Sequence, residues 1–325
     1  MHREAEIARE LERSFSGVER VEPLRIEVSA RRYYRLHFAH ETAVAAVYPE
    51  ALLPTADFLQ IQEILKSEGL RVPGIKESRL EQGILLLEDA GDTDLGMALR
   101  AASPEERVRL YRRAIDIILA LQKIEPRPPV SLRFFDFAKL WWEMEYLFRA
   151  LSSTWPDLEG QTVTFAARTF LEETCQYLAK KALHVTHRDF HSRNIMVKDG
   201  ELILIDFQDA RMGSRYYDLV SLLYDPYVSI PLELVDSCTE YFIATVLEPA
   251  CSKHSRHHFY CQAVQRLFKA LGTYAHQFFQ QHDSSFLPAL HTALERLDLV
   301  VQRSGFPDAL YLFVQELRRR AALIS

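Results

Sequence analysis

Apolar and polar positions change their period along the chain, and the change divides it. In the runs 21–28, 32–38 and 42–48, β-branched and aromatic residues are grouped between short polar turns, the pattern of an antiparallel meander. Residues 54–69 switch to a helical repeat through Phe58, Ile61, Ile64 and Leu65 and close on Gly69, a favoured helix end. The unbroken run Gly83-Ile-Leu-Leu-Leu87 predicts a buried strand. Beyond Glu88-Asp89-Ala90-Gly91-Asp92 the repeat is mostly helical, over about 104–123, 137–151, 162–183, 231–249, 257–281, 285–303 and 306–322. Pro126-Arg-Pro-Pro129 is a rigid connector, and no repeat or low-complexity tract occurs. The expectation is an α+β chain: an N-terminal lobe over 1–88 with a small antiparallel sheet and one helix, a hinge at 89–92, and a large, mostly helical lobe over 93–325.

One stretch breaks the helical pattern. Ile195-Met-Val197 and Glu201-Leu-Ile-Leu-Ile205 flank Asp199-Gly200, which predicts a hairpin. Just before it stands His187-Arg188-Asp189-Phe190-His191-Ser192-Arg193-Asn194, and just after it Asp206-Phe207-Gln208. An acid, an amide five positions on and a second acid twelve beyond that suit phosphoryl transfer, which asks for positioned charge more than for covalent chemistry. Asp189 can orient or deprotonate an attacking hydroxyl. Asn194 and Asp206 offer hard oxygen ligands to the Mg²⁺ that bridges nucleotide phosphates. The order and spacing match the H-R-D-x-x-x-x-N catalytic loop and the D-F metal loop.

Composition narrows the partners. The chain has 325 residues, 48% of them apolar, and a net charge of -6, enough to bury a large core. Its basic runs, Arg112-Arg113 and Arg318-Arg319-Arg320, fall in helical patterns, so no nucleic-acid partner is expected. Cys175, Cys238, Cys251 and Cys261 have neither disulfide-framework nor metal-ligand spacing. The charged N-terminus opens a helix, and no apolar stretch is long enough to span a membrane. A soluble cytoplasmic protein with no obligate protein partner is the expectation.

His187 to Asn194 and Asp206-Phe207 resemble the protein-kinase superfamily. Asp206 is followed within twelve residues by the helical Tyr217-Asp-Leu-Val-Ser-Leu-Leu223, and no Ala-Pro-Glu occurs downstream; protein kinases use that longer segment to display a peptide. The string from Ile205 to Leu223, together with Arg31-Arg32-Tyr33-Tyr34-Arg35 and Leu85-Leu86-Leu87-Glu88-Asp89, is similar to the aminoglycoside phosphotransferase-like family, most of all to its bacterial cell-wall amino-sugar kinases. The resemblance covers about residues 28–225. It implies a protein-kinase-like two-lobe fold, ATP and Mg²⁺ as cofactors, and transfer to the anomeric hydroxyl of N-acetylmuramate or N-acetylglucosamine. It also implies Asp189 as catalytic base, Asn194 and Asp206 as metal ligands, Leu86, Leu87 and Glu88 as the hinge that meets adenine, and Arg193 and Asp209 toward the sugar. His187 and Asp218 are structural at the site, Asp218 bracing the catalytic loop.

The chain departs from the kinase pattern in its first lobe. The only glycine before Gly69 is Gly17, the first lysine is Lys66, and Val44-Ala45-Ala46-Val47 stands where a strand lysine is expected. Arg31, Arg32 or Arg35 is then the source of positive charge for the phosphates, since a guanidinium fork matches phosphate oxygens; Glu63 is a possible partner for it. Tyr216, Tyr217, Tyr224 and Tyr227 either stack on a sugar ring or belong to the core. Two alternatives stay open: a kinase of another small alcohol, such as choline, homoserine or an aminoglycoside, and a nucleotide-binding pseudokinase regulator.

Overall fold

The computed structural model describes residues 2–24, 31–246 and 252–324. The chain divides into two compact units, residues 1–94 with 195–208, and residues 95–194 with 209–325. In the first, β1 (Arg20–Pro23), β2 (Arg32–His37), β3 (Thr42–Val47), β4 (Ile75–Arg79) and β5 (Ile84–Glu88) form an antiparallel sheet in the order β1-β2-β3-β5-β4. α1 (His2–Ser14) and α2 (Asp57–Ser67) accompany it. The part of the 21–28 run beyond Leu24 lies outside the described residues, as do the end of the predicted 231–249 helix and Cys251. β4 is an addition to the predicted strands: it is an edge strand whose central residues are exposed, so no alternation marks it in the sequence.

Strand alternation gives the sheet two chemically different faces. Tyr34, Leu36, Ala43, Ala45, Ile84 and Leu86 form one core cluster with Leu11 and Phe15, and Val47 packs against it. The register Tyr33↔Ala46 and Arg35↔Val44 sets those four residues on the opposite face. Gly83 turns the chain into β5 at φ 66°, where an added Cβ would lie 2.4 Å from the Glu50 carbonyl, so the left-handed turn requires glycine. The predicted hairpin is present as β7 (Ile195–Lys198) and β8 (Glu201–Leu204) and packs within this first unit. The Leu204 amide donates to the Arg71 carbonyl, the Val197 amide to that of Thr93.

The second unit is mostly helical: α3 (Leu95–Ala101), α4 (Pro104–Leu121), α5 (Phe137–Thr154), α6 (Thr162–Ala179), α7 (Tyr217–Leu223), α8 (Leu232–Val246), α9 (Ser252–Ala275), α10 (Leu287–Ser304) and α11 (Asp308–Ala321). Side-chain caps start two of them, Ser103 accepting from the Glu106 amide and Asp136 from the Lys139 amide. β6 (His184–Thr186) and β9 (Arg211–Gly213) pair beneath the motif loop, and α7 begins at Tyr217, as the short segment after Asp206 predicts. α5 crosses α9 closely enough that a Cβ on Gly272 would lie 2.9 Å from Leu147 Cα. Among the described residues no helix is long and apolar enough to cross a membrane.

Candidate active site

In the second unit the motif loop hangs between β6 and a short 3-10 turn, Ser192–Asn194, and two buried aspartates seven residues apart hold it. Asp218, 1% exposed in the first turn of α7, accepts from the His187 amide at 2.7 Å and the Arg188 amide at 3.1 Å. Asp225, just past the end of α7, accepts from the Ser192 amide at 2.7 Å and the Tyr227 amide at 2.8 Å. Arg188 between them has φ 82°, a conformation costly for a side-chain-bearing residue and held only where its surroundings over-determine it. Burial pushes the Asp218 carboxyl up to about 7, even against its two amide donors. Asp225 was not singled out from the sequence, although its spacing of two helical turns from Asp218 marks the same side of the chain.

Asp189 follows Arg188 in this loop. Burial would raise its carboxyl, but Lys269, Arg188 and Arg266 outweigh burial and hold it below the usual carboxylate range. Arg266 Nη2 stands 3.7 Å and Lys269 Nζ 3.9 Å from Asp189 Oδ1. The two cations lie three apart on one face of α9; the sequence concealed them in an ordinary amphipathic pattern. Asn194 Nδ2 donates to the Asp189 carbonyl at 2.9 Å. That bond fixes the amide so that its oxygen remains for another donor or a cation, a fit to a hard metal ion. His191 stands beside it, edge-on to Tyr227.

A cavity of about 150 Å³ opens beside Asp189, walled by His191, Tyr227, Tyr274, Arg266 and Lys269 among others. Arg193 stacks its guanidinium 3.5 Å from the centre of the Tyr227 ring. Asp209 pairs with Arg188 Nη1 at 3.0 Å and does not line this cavity. Tyr216 and Tyr217 are core residues, each 1% exposed, while Tyr224 and Tyr227 reach the cavity wall.

In the first unit the three candidate arginines separate. Arg31 Nη2 donates to Asp206 Oδ1 at 3.1 Å, and its guanidinium lies 5.9 Å from the ring centres of Tyr33 and Tyr48. Asp206 sits at φ 60° and also accepts from Gln208 Nε2 at 2.9 Å; its side chain is 42% exposed, which leaves oxygen for a cation. Arg32 pairs with Glu4 at the surface. Arg35 is buried and grips both oxygens of Asp89, with Asp92 as a further partner. Glu63 is exposed on α2. Leu86, Leu87 and Glu88 lie in β5, which has a strand on each side; the Glu88 amide donates to the Gly74 carbonyl at 2.7 Å, and its carboxylate pairs with Arg71.

Residues 20–245 match the model of the phosphotransferase enzyme family, APH. The chain belongs to that family. The chain is 31% identical over 218 residues to an N-acetylmuramate/N-acetylglucosamine kinase of Pseudomonas aeruginosa, a match covering 64% of this chain and 61% of that one. It is 27% identical over 301 residues to the protein of the same name from Neisseria meningitidis serogroup B, covering 88% and 87%. Its fold is that of the ADP-bound aminoglycoside phosphotransferase APH(2'')-Ib, with a TM-score of 0.59 at 14% identity over 97% of each chain. The chain therefore has the protein-kinase-like fold expected from its motifs.

Proposed function

We propose that this phosphotransferase moves the γ-phosphate of ATP to the anomeric hydroxyl of an amino sugar, N-acetylmuramate or N-acetylglucosamine. The observation that carries the proposal is Asp189, kept ionised by three cations at the edge of a cavity that can admit an acceptor. A carboxylate this acidic is a poor base. It is well suited to a loose phosphoryl-transfer transition state, where the hydroxyl proton leaves late and orientation matters more than basicity. Asp189 would accept a hydrogen bond from the acceptor hydroxyl, align its oxygen, and take the proton as the new P–O bond forms.

Asn194, through its amide oxygen, and Asp206, through its carboxylate, would hold Mg²⁺. When bound, the ion neutralises charge on the nucleotide phosphates and leaving group. Arg31 would supply the positive charge that a strand lysine gives elsewhere, since it alone of the three arginines stands at Asp206. Asp218 and Asp225 hold the loop from behind and would not touch substrate. The two cations by Asp189 disfavour a cationic acceptor, choline or an aminoglycoside, which would meet like charge in the cavity.

The reading is tested by ADP release from ATP and Mg²⁺ against N-acetylmuramate, N-acetylglucosamine, other hexoses, choline, homoserine and kanamycin. Turnover confined to the amino sugars and lost in Asp189→Ala, with nucleotide binding retained, is the expected result. Turnover with choline or kanamycin in place of the sugars overturns it, and nucleotide binding without turnover on any acceptor favours a regulator.

A further inference from the structure

The cavity beside Asp189 is lined by cationic side chains whose donors are largely unused among the described residues. Its walls carry two cations, Arg266 and Lys269, and one carboxylate, Asp189. Both cations stand 3.7 to 3.9 Å from that carboxylate, beyond hydrogen-bond length, so their donors are not used up by it. Among the described residues Arg266 spends only Nε, on the Ser221 hydroxyl at 3.1 Å. Lys269 Nζ makes no hydrogen bond among the described residues. The other carboxylate felt by both, Glu143 on α5, is bound by Gln265 Nε2 at 2.9 Å and does not line the cavity. Two partly buried cations, side by side on the cavity wall, thus keep donors that neither nearby carboxylate takes up, and an anion entering the cavity would meet both.

Resting on the amino-sugar reading above, we infer that Arg266 and Lys269 receive a carboxylate borne by the acceptor, so that the preferred substrate is an acidic amino sugar of the N-acetylmuramate kind and not its uncharged counterpart. The dimensions agree. A volume of about 150 Å³ corresponds to roughly five waters at ~30 Å³ each, room for a short acidic arm while the ring lies across the cavity mouth. Tyr227, with Arg193 stacked on it, offers an aromatic face there. A fork on Arg266 and a point charge on Lys269 can share the two oxygens of one carboxylate. The arm stands on C3, two ring carbons from the anomeric centre, so its anchoring would turn that edge of the ring, and with it the anomeric hydroxyl, toward Asp189 and couple acid recognition to alignment.

The test compares N-acetylmuramate with its carboxamide, which keeps the shape and removes the charge, by calorimetric binding in the presence of ADP and Mg²⁺ and by kcat/KM. In the wild-type protein the acid is expected to exceed the amide at least tenfold in both. In Lys269→Met the preference is expected to collapse toward unity, even though lost support for Asp189 slows both substrates. Equal handling of acid and amide by the wild-type protein, no binding of the acid, or an unchanged preference in Lys269→Met overturns the inference. The wild-type comparison stands by itself if the variant does not fold. Failure of the amino-sugar reading is seen separately: the wild-type protein then phosphorylates neither N-acetylmuramate nor N-acetylglucosamine, while the calorimetric comparison still decides the acid site.

Discussion

Replacing Asp218 with asparagine is expected to shift the stability difference in the variant's favour as pH rises while making the protein a worse catalyst. The carboxyl is buried and raised from 3.8 to about 7, so the folded protein holds a proton there that the unfolded chain has released. Stability from this group is therefore fully present below pH 4 and is lost as pH climbs through 7. At ~1.36 kcal/mol per pH unit the shift corresponds to about 4 kcal/mol across that window. Asparagine has no charge to desolvate, so the stability difference between variant and wild type should move by about 4 kcal/mol in the variant's favour between pH 4 and pH 8, whatever constant offset its amide introduces. Urea unfolding at both pH values measures this. Activity, assayed at pH 8 where the Asp218 carboxyl is ionised, moves the other way. The variant presents an NH₂ group to one of the two amides that Asp218 accepts from, and losing one charge-assisted bond at ~1.5–3 kcal/mol loosens the loop that carries Asp189, for a fall in kcat of about 10- to 100-fold. A pH-independent stability difference would refute the burial argument, and an unchanged kcat would refute the bracing argument.

Arg31→Met should raise the KM for ATP by about tenfold or more, from loss of one charge-assisted contact, with a smaller effect on the KM for the acceptor; equal effects on both would remove Arg31 from the nucleotide side. Arg35→Ala leaves the buried Asp89 carboxylate with the Gly91 amide but without its counter-charge, and should cost about 3–5 kcal/mol, seen as a lower urea midpoint at unchanged slope. Gly272→Ala sets a methyl group against the α5 backbone at Leu147 and should cost about 1–3 kcal/mol by overpacking, measured by thermal unfolding; a neutral result would mean that the two helices separate freely.

The parts of this fold legible in the sequence were those whose burial is periodic. β2, β3, α2 and the long helices carry alternation or a 3.6 repeat because one face of each is buried. β4 was hidden because its exposed middle residues Lys76, Glu77 and Ser78 give no alternation, and α3, at seven residues, is too short to establish a period. At the site, motif spacing singled out Asp189, Asn194 and Asp206 as candidates, and the first two stand in one loop joined by the Asn194 Nδ2 bond to the Asp189 carbonyl. Arg266 and Lys269 reach Asp189 only through the packing of α9, and no local pattern announces a contact made by tertiary folding. The three arginines after residue 30 show the same limit: alternation sets Arg32 on the face opposite Arg35, and Arg31, just before β2, stands four residues from Arg35 along the chain, so the three reach different partners, Glu4, Asp89 and Asp206.

The central claim is tested most directly by phosphorus and proton NMR of the product formed from ATP, Mg²⁺ and N-acetylmuramate. A phosphate coupled to the anomeric proton, formed by the wild-type protein and absent with Asp189→Asn, is the predicted result. A phosphate on another hydroxyl, or product formation undiminished in Asp189→Asn, would contradict the account.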